Sequence, residues 1–393
     1  MKRFVFFSLF ITMTSVASAQ VATVKAADIV PAPPQVAAEA YLLIDADTGS
    51  VLVEHKADEP MPPASLTKMM TAYVMASEIE SGRASADDMV TVSRNAWSQN
   101  PVFAGSSLMW IEPGKDVSLH DLERGIIISS GNDATVAVAE YLAGNEEAFA
   151  DMMNGHAQAL GMTNSVFVNS HGLPAAGQVV TARDLATLAA AMIENFPEHY
   201  ALYSEREFTY NDIRQYNRNS LLREDASVDG IKTGYTRESG YGLVASAERD
   251  GMRLISVVLG TRSATARKNE TRSLLNYGYR FFETVDLFDT AQVLAEPRVW
   301  KGLQQTVTLG VRDAARVTLP RGQREQLQTE LVLPDTFVAP IALGDELGSV
   351  RLTLGDELVF EAPVVALEPV ERAGFFARIW DSIKMWVSAL FSV

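Results

Sequence analysis

Pro63-Ala64-Ser65-Leu66-Thr67-Lys68-Met69-Met70 brings a proline into a serine, a lysine three residues later, and then an apolar, helix-like run. Ser65 has two readings here. As an N-cap it would accept from the first free backbone N–H groups of the helix that follows. As a nucleophile it would have its base one turn away, because residues i and i+3 share a helix face and Lys68 can reach Ser65 Oγ. A serine hydroxyl is unreactive at neutral pH without a base. Lysine becomes that base only when burial or a second nearby cation lowers its pKa. S-x-x-K arises on the order of once by chance in a chain this long, so the second cation has to be found elsewhere.

The chain has 393 residues, enough for two domains, and 47% of them are hydrophobic, enough for a substantial core. A formal net charge of -16 argues against nucleic-acid binding, which needs clustered positive charge. The chain has no cysteine, which excludes disulfides, thiol catalysis and cysteine-ligated metals. His55, His120, His156, His171 and His199 show no H-E-x-x-H or other paired spacing, so no metal site is expected. Lys2 and Arg3, the apolar run from Phe4 to Met13 and then Ala17-Ser18-Ala19 make the pattern of a cleaved export signal. Residues 1–19 are expected to be a signal peptide, with the mature chain starting near Gln20 outside the cytoplasm.

Residues 20–36, rich in Ala, Val and Pro, read as a linker or extended arm. Residues 40–45 and 51–53, joined by Asp47-Thr48-Gly49-Ser50, read as a hairpin. From Ser65 to about Phe196 the pattern is mainly helical, most clearly over 69–79, 133–143 and 182–193. Strands return over 242–247 and 253–260, with Asp250-Gly251 as a hairpin turn. Strands at both ends of a helical middle predict an α+β domain over 37–286, its two ends sharing one sheet flanked by helices. Beyond about Val285 short alternating runs (306–309, 316–320, 330–334, 349–354) are separated by turn residues such as Gly344-Asp345 and Gly355-Asp356. They predict a small all-β domain over 287–370.

The second cation is available in Asp229-Gly230-Ile231-Lys232-Thr233-Gly234-Tyr235. A lysine beside Thr-Gly, in or next to a strand, would set an ammonium against a groove, and Gly234 would let a substrate backbone approach closely. S-x-N occurs three times, at Ser93-Arg94-Asn95, Ser98-Gln99-Asn100 and Ser130-Gly131-Asn132. Only the last lies between an apolar run, Ile126-Ile127-Ile128, and a helical one beginning at Asp133, which places Ser130 and Asn132 on a tight turn between buried helices.

In the order S-x-x-K, S-x-N, K-T-G these motifs are the signature of serine β-lactamases and penicillin-binding proteins, with Gly131 where that pattern has Asp. Over nearly the whole mature chain the sequence resembles the D-alanyl-D-alanine carboxypeptidases, the low-molecular-mass penicillin-binding proteins. Beside the three motifs, Ser170-His171-Gly172-Leu173, Asn217-Arg218-Asn219, Val228-Asp229-Gly230-Ile231 and Arg280-Phe281-Phe282-Glu283-Thr284 carry the resemblance. It implies a β-lactamase/transpeptidase-like catalytic domain, a β-rich C-terminal domain, and no cofactor. It further implies a serine peptidase that removes the terminal D-alanine from the peptidoglycan pentapeptide stem, serves peptidoglycan remodelling and cell shape, and is acylated by β-lactam antibiotics.

The same resemblance implies roles for single residues. Ser65 attacks the D-Ala–D-Ala carbonyl, Lys68 takes its proton, Ser130 relays a proton to the leaving nitrogen, and Lys232 keeps the local field positive. The backbone N–H groups of Ser65 and Tyr235 form the oxyanion hole. Asn132, Arg218 and Gly234 belong to the substrate groove. Thr233 and Arg267 receive the terminal carboxylate, with Arg262 as the alternative arginine. His171 is expected to shape a loop with Gly172 rather than titrate. The resembling family often has histidine where Tyr235 stands, so an imidazole contact does not carry over. A class A β-lactamase needs a glutamate-activated water, and no E-x-x-L-N stretch lies between Asn132 and Lys232; slow deacylation of penicillin is expected. A non-catalytic wall-binding protein of the same fold would have lost Ser65 or Lys68, and both are present.

Residues 371–393 carry a separate signal. At about 100° per residue, Phe375, Phe376, Ile379, Trp380, Ile383, Trp386, Val387, Leu390 and Phe391 share one arc of about 160°. Arg378, Asp381, Ser382, Lys384 and Ser388 fall opposite, with Met385 among them. Such a segment predicts an amphipathic helix in the membrane interface, and the resembling family anchors itself in this way. It would place the protein in the periplasm, on the outer face of the inner membrane.

Overall fold

The computed structural model describes residues 30–391. The expected signal peptide and most of the expected linker lie outside them. The described part of the linker is not free: Val30 and Val36 pack on the apolar cluster under the sheet, and the Tyr277 hydroxyl donates to Pro31 O at 2.9 Å.

The first domain is built on an antiparallel sheet of five strands: β1 (Ala40–Asp45), β2 (Val51–His55), β3 (Val228–Thr236), β4 (Gly240–Arg249) and β5 (Met252–Thr261), in the order β2-β1-β5-β4-β3. The two ends of the domain meet where β1 pairs with β5, Ala40 opposite Leu259 and Asp45 opposite Leu254. The hairpin turn at Asp250-Gly251 joins β4 to β5.

Side chains alternate across a strand, and both faces of this sheet are covered. Leu42, Ile44, Val244, Ile255 and Val257 face a helical layer. That layer includes α1 (Thr67–Glu80), α2 (Asn132–Ala143), α3 (Glu146–Ala159) and α4 (Ala182–Asn195). Leu43, Leu243, Ala245, Leu254 and Val258 face α5 (Ala264–Phe281), which covers them with Leu274, Leu275 and Tyr277. Helix α1 is buried on nearly every side, from Thr67 to Ala76 without a break. A helix enclosed in this way has no solvent face to hold a cation, so Lys68 is carried into the core by its neighbours.

The chain leaves α5 into β6 (Phe282–Phe288), which pairs with β7 (Ala315–Pro320) in the β-rich second domain. A five-stranded antiparallel sheet there includes β8 (Leu327–Val332), β9 (Glu346–Leu354) and β10 (Glu357–Ala366). The domains are clasped through the sheet's hairpin turns. Asp45 accepts from the Thr284 and Thr318 hydroxyls, and Arg316 pairs with Asp47 and donates to Gly251 O at 2.8 Å.

Helix α6 (Phe375–Phe391) runs beside the strand Val299–Trp300. Its polar side packs on the β domain: Asp381 Oδ2 accepts from Lys301 N at 2.8 Å, and Arg378, Asp381 and Met385 are half-buried. Met385, the apolar residue on the polar face, is thus on the side turned to the β domain. Phe376, Ile379 and Ile383 point away and are exposed, and Trp380 and Trp386 are exposed as well. Among the described residues no helix is long and apolar enough to cross a membrane.

Candidate active site

Ser65 lies in a single 3-10 turn, Ala64–Leu66, that runs straight into α1. The structure corrects its reading as a helix cap, because its side chain caps no backbone N–H. Ser65 Oγ instead accepts from Lys68 Nζ at 3.2 Å. The turn is strained at Ala64, whose φ of +49° is left-handed and disfavoured for an L-residue. Gly172, with φ +86°, backs this turn closely enough that a Cβ there would lie 1.8 Å from Ala64 O. The Ser170-His171-Gly172-Leu173 stretch is thus the support of the Ser65 turn.

Lys68 is 1% exposed. Its Nζ also donates to Asn132 Oδ1 and to His171 O, each at 2.6 Å. Burial lowers its pKa to about 7; the charge of Asp133 opposes the shift and that of Arg218 assists it. A neutral amine has two N–H groups and one lone pair. With two acceptors at 2.6 Å for its N–H groups, a neutral Lys68 keeps the lone pair for the Ser65 proton. His171 contributes only its carbonyl to this contact. Burial first, and then the charge of Lys68, push its imidazole pKa down to about 3, so it stays neutral at physiological pH, as expected of a loop-shaping residue.

Ser130 and Asn132 come from the tight turn predicted for them. A π-helical turn, Gly125–Ser129, ends at Ser130 with φ +59°, and α2 begins at Asn132. Asn132 Nδ2 donates to Ser106 Oγ at 2.7 Å, which leaves its Oδ1 for Lys68. Gly131 stands where the general pattern has Asp because a Cβ there would lie 2.9 Å from Met109 N, Met109 Cβ and Asp133 Oδ1. Asp133, fully buried, accepts from the N–H groups of Met109, Trp110 and Ile111 at 2.8, 2.8 and 3.1 Å. It ties down the segment that carries Ser106. The rival S-x-N matches have other work: Ser93 Oγ accepts from Asn95 N, Asn100 caps the 3-10 turn Pro101–Phe103, and none of them lines the cleft.

Lys232 sits on the edge strand β3, 3% exposed, and its Nζ donates to Ser130 Oγ at 2.9 Å. Burial, followed by the charges of Lys68, Arg218 and Arg267, holds its pKa well below the usual lysine value. Gly234 lines the cleft, and a Cβ there would also meet Leu66 Cγ and Pro63 O at 3.1 Å. Glycine here lets β3 close against the Ser65 turn.

These groups meet at a cleft of about 500 Å³ lined by Ser65, Ser130, Asn132, Arg218, Thr233, Gly234, Tyr235 and Arg267, among others. Arg267 projects from α5, donates to Gly234 O at 3.2 Å and lies 5.7 Å from the Tyr241 ring centre; burial lowers its pKa to about 10. Arg262 is exposed and outside the lining, so the fallback arginine is not at the site. Tyr235 is exposed and stacked on Tyr241 with ring centres 4.1 Å apart. The sequence reading missed Ser106, Ser107 and Tyr241, which also line the cleft. No local pattern marks them; only the fold brings them there. Among the described residues no group of three or more His, Asp or Glu residues is placed to hold a metal ion.

A serine–lysine pair, a second buried lysine and a hydroxyl between them, on a helix-flanked sheet, define a serine hydrolase working by acyl transfer. Comparison with known proteins agrees. Residues 26–263 match the family described as D-alanyl-D-alanine carboxypeptidase, and residues 282–372 match the C-terminal domain of penicillin-binding protein 5. The chain is 46% identical over 366 residues to D-alanyl-D-alanine carboxypeptidase DacC of Escherichia coli, covering 91% of this chain and 92% of that one. To DacA of the same organism it is 43% identical over 360 residues, covering 91% and 89%. The structure of penicillin-binding protein 5 from Haemophilus influenzae superposes with a TM-score of 0.83 at 39% identity, covering 87% of this chain and all of that one. The chain belongs to the D-alanyl-D-alanine carboxypeptidase family of serine hydrolases.

Proposed function

We propose that this protein removes the terminal D-alanine from peptidoglycan pentapeptides through an acyl-enzyme on Ser65, and that β-lactams acylate the same serine. The observation that carries the reading is the contact between Ser65 Oγ and a buried Lys68 whose pKa lies near neutrality. Lys68 takes the Ser65 proton as Oγ bonds to the penultimate D-alanine carbonyl carbon. The N–H groups of Ser65 and Tyr235 stabilise the oxyanion. As the C–N bond breaks, the leaving nitrogen takes a proton from the Ser130 hydroxyl, the proton held by Lys68 passes to the Ser130 oxygen, and Lys232, which donates to that oxygen at 2.9 Å, stabilises it meanwhile. Water then attacks the ester, giving a proton to the now neutral Lys68, which returns it to Ser65 Oγ as the ester C–O bond breaks and the acyl chain leaves as the free acid. Asn132 orients Lys68, and Arg218 adds positive potential at the rim. Thr233 and Arg267 receive the substrate's free carboxylate, a group that needs charge-assisted donors. Trimming the terminal D-alanine removes the peptide bond that a cross-linking enzyme would use, which supports a role in peptidoglycan remodelling and cell shape.

The protein acts, in this proposal, in the periplasm at the outer face of the inner membrane, held by α6. The support is the direction of the helix: its polar side is occupied by the β domain, while its aromatic side faces outward. Intact-protein mass after penicillin treatment tests the chemistry. The expected result is one covalent adduct on the wild type and none on Ser65→Ala. An adduct on both, or on neither, refutes the nucleophile, and D-alanine release from a pentapeptide then separates peptidase from β-lactamase.

A further inference from the structure

We propose that the groove between α6 and the β domain binds the phosphate headgroup of an anionic phospholipid, which orients the protein on the bilayer. The inference rests on the membrane association proposed above and adds a specific site to it. The groove has a volume of about 560 Å³ and lies between the 302–306 segment and one flank of α6, with Arg298, Thr306, Trp380 and Lys384 in its lining.

Depth is the first argument. Arg378, Asp381 and Met385 face the β domain, and Phe376, Ile379, Ile383 and Val387 point away from it. At about 100° per residue, Lys384 lies roughly 90° round from the centre of each face. With the apolar face at the acyl boundary, that flank is held at the level of the headgroups. Leu303, 61% exposed at the lip of the groove, gives the β domain its own apolar side chain for the same boundary.

Charge is the second. The chain as a whole carries -16 and is repelled by an anionic surface. Arg298 and Lys384 supply opposite charge from the two walls of the groove. The one acid in the lining, Asp381, is engaged by Lys301 N at 2.8 Å and stands 3.9 Å from Lys384 Nζ. Each cation also lies over an indole: the Arg298 guanidinium is 3.9 Å from the Trp300 ring centre, and Lys384 Nζ is 5.6 Å from that of Trp380. Indoles favour the membrane interface, and a cation over the ring is held in place there. Trp380 makes the groove continuous with the apolar face, so the occupant is a lipid in a bilayer rather than free phosphate.

The test is flotation of the full-length mature chain with vesicles of phosphatidylcholine alone and of phosphatidylcholine with phosphatidylglycerol. Each cation near an anionic surface contributes about a fivefold gain in affinity. Arg298→Gln and Lys384→Gln are each expected to weaken binding to the phosphatidylglycerol vesicles about fivefold, and the double variant ~25-fold. Binding to phosphatidylcholine and the rate of D-alanine release stay unchanged. Arg312→Gln, an exposed β-domain cation outside the groove, is the control. An equal loss in that control means diffuse attraction and overturns the site, as does wild-type affinity in the double variant. Failure of the underlying membrane reading looks different: the wild-type chain then floats with neither vesicle, and the headgroup site falls with it.

Discussion

Replacing Gly172 with alanine should damage catalysis from a position that does not touch the substrate's reacting atoms. Two costs separate in the structure. The residue has φ +86°, which costs an L-residue about 1–2 kcal/mol. A Cβ would also stand 1.8 Å from Ala64 O, so the Ser65 turn or the His171 loop must move by well over 1 Å. Overpacking of this kind costs about 1–3 kcal/mol. The sum, about 2–5 kcal/mol, corresponds to a fall in melting temperature of roughly 5–20 °C for a domain of this size. Either movement shifts a partner of Lys68, the Ser65 hydroxyl or the His171 carbonyl, and a misplacement of about 1 Å costs on the order of 100-fold in rate. Gly177→Ala is the internal control, because Gly177 has φ +85° and nothing within 4 Å of the added Cβ. It should lose only about 1–2 kcal/mol and keep the wild-type rate. The assays are thermal melting and the rate of acylation by a fluorescent penicillin. If the two variants match in both, or if Gly172→Ala acylates at the wild-type rate, the supporting role of Gly172 is wrong.

Acylation should rise with pH as Lys68, with its pKa of about 7, loses its proton, and level off above; a flat pH–rate profile through neutrality refutes Lys68 as the base. Stability has a related signature, since between about pH 7 and the ordinary lysine value of 10.5 the unfolded chain binds a proton that the folded chain declines. Folding stability therefore rises with pH across that window and is lost as pH falls through it, by up to about 5 kcal/mol, and Lys68→Met should flatten the slope in denaturant melts. Arg267→Ala should lower kcat/KM for substrates with a free terminal carboxylate about 10–100-fold while sparing those with an amidated terminus; Arg262→Ala should change neither, and the opposite pattern would reassign the carboxylate site. Deleting the residues after Ala373 should release the protein to the soluble periplasmic fraction with its D-alanine release intact, and continued membrane association of the truncated form would rule out α6 as the anchor.

The motifs were legible because each is local. Ser65 and Lys68 are one helical turn apart, Ser130 and Asn132 share a turn, and Lys232 and Thr233 share a strand. The main helices and the Asp250-Gly251 hairpin were legible from apolar periodicity and turn chemistry. Helix α5 was not, because its surface is rich in polar residues such as Arg267, Lys268, Asn269 and Glu270. Ser106, Tyr241 and the supporting role of Gly172 stayed hidden because their contacts join segments remote in sequence. Ala64 and Gly172 are neighbours in space, yet 108 residues separate them.

What the sequence determined alone was the inventory: a serine, two lysines and a hydroxyl in a diagnostic order, an α+β pattern followed by a β-rich one, and an amphipathic C-terminal helix. The tertiary structure decided what those groups are chemically. Lys68 is suited to the proposed role of base because the fold encloses α1 and leaves its amine two acceptors, at Asn132 and His171. Asn132 presents its oxygen because Ser106 takes its amide, and Gly131 is glycine because Met109 and Asp133 pass too close for a side chain. Desolvation and contact are properties of the packed three-dimensional arrangement. A motif can name the residues, but only packing sets the dielectric and the distances that give them reactivity.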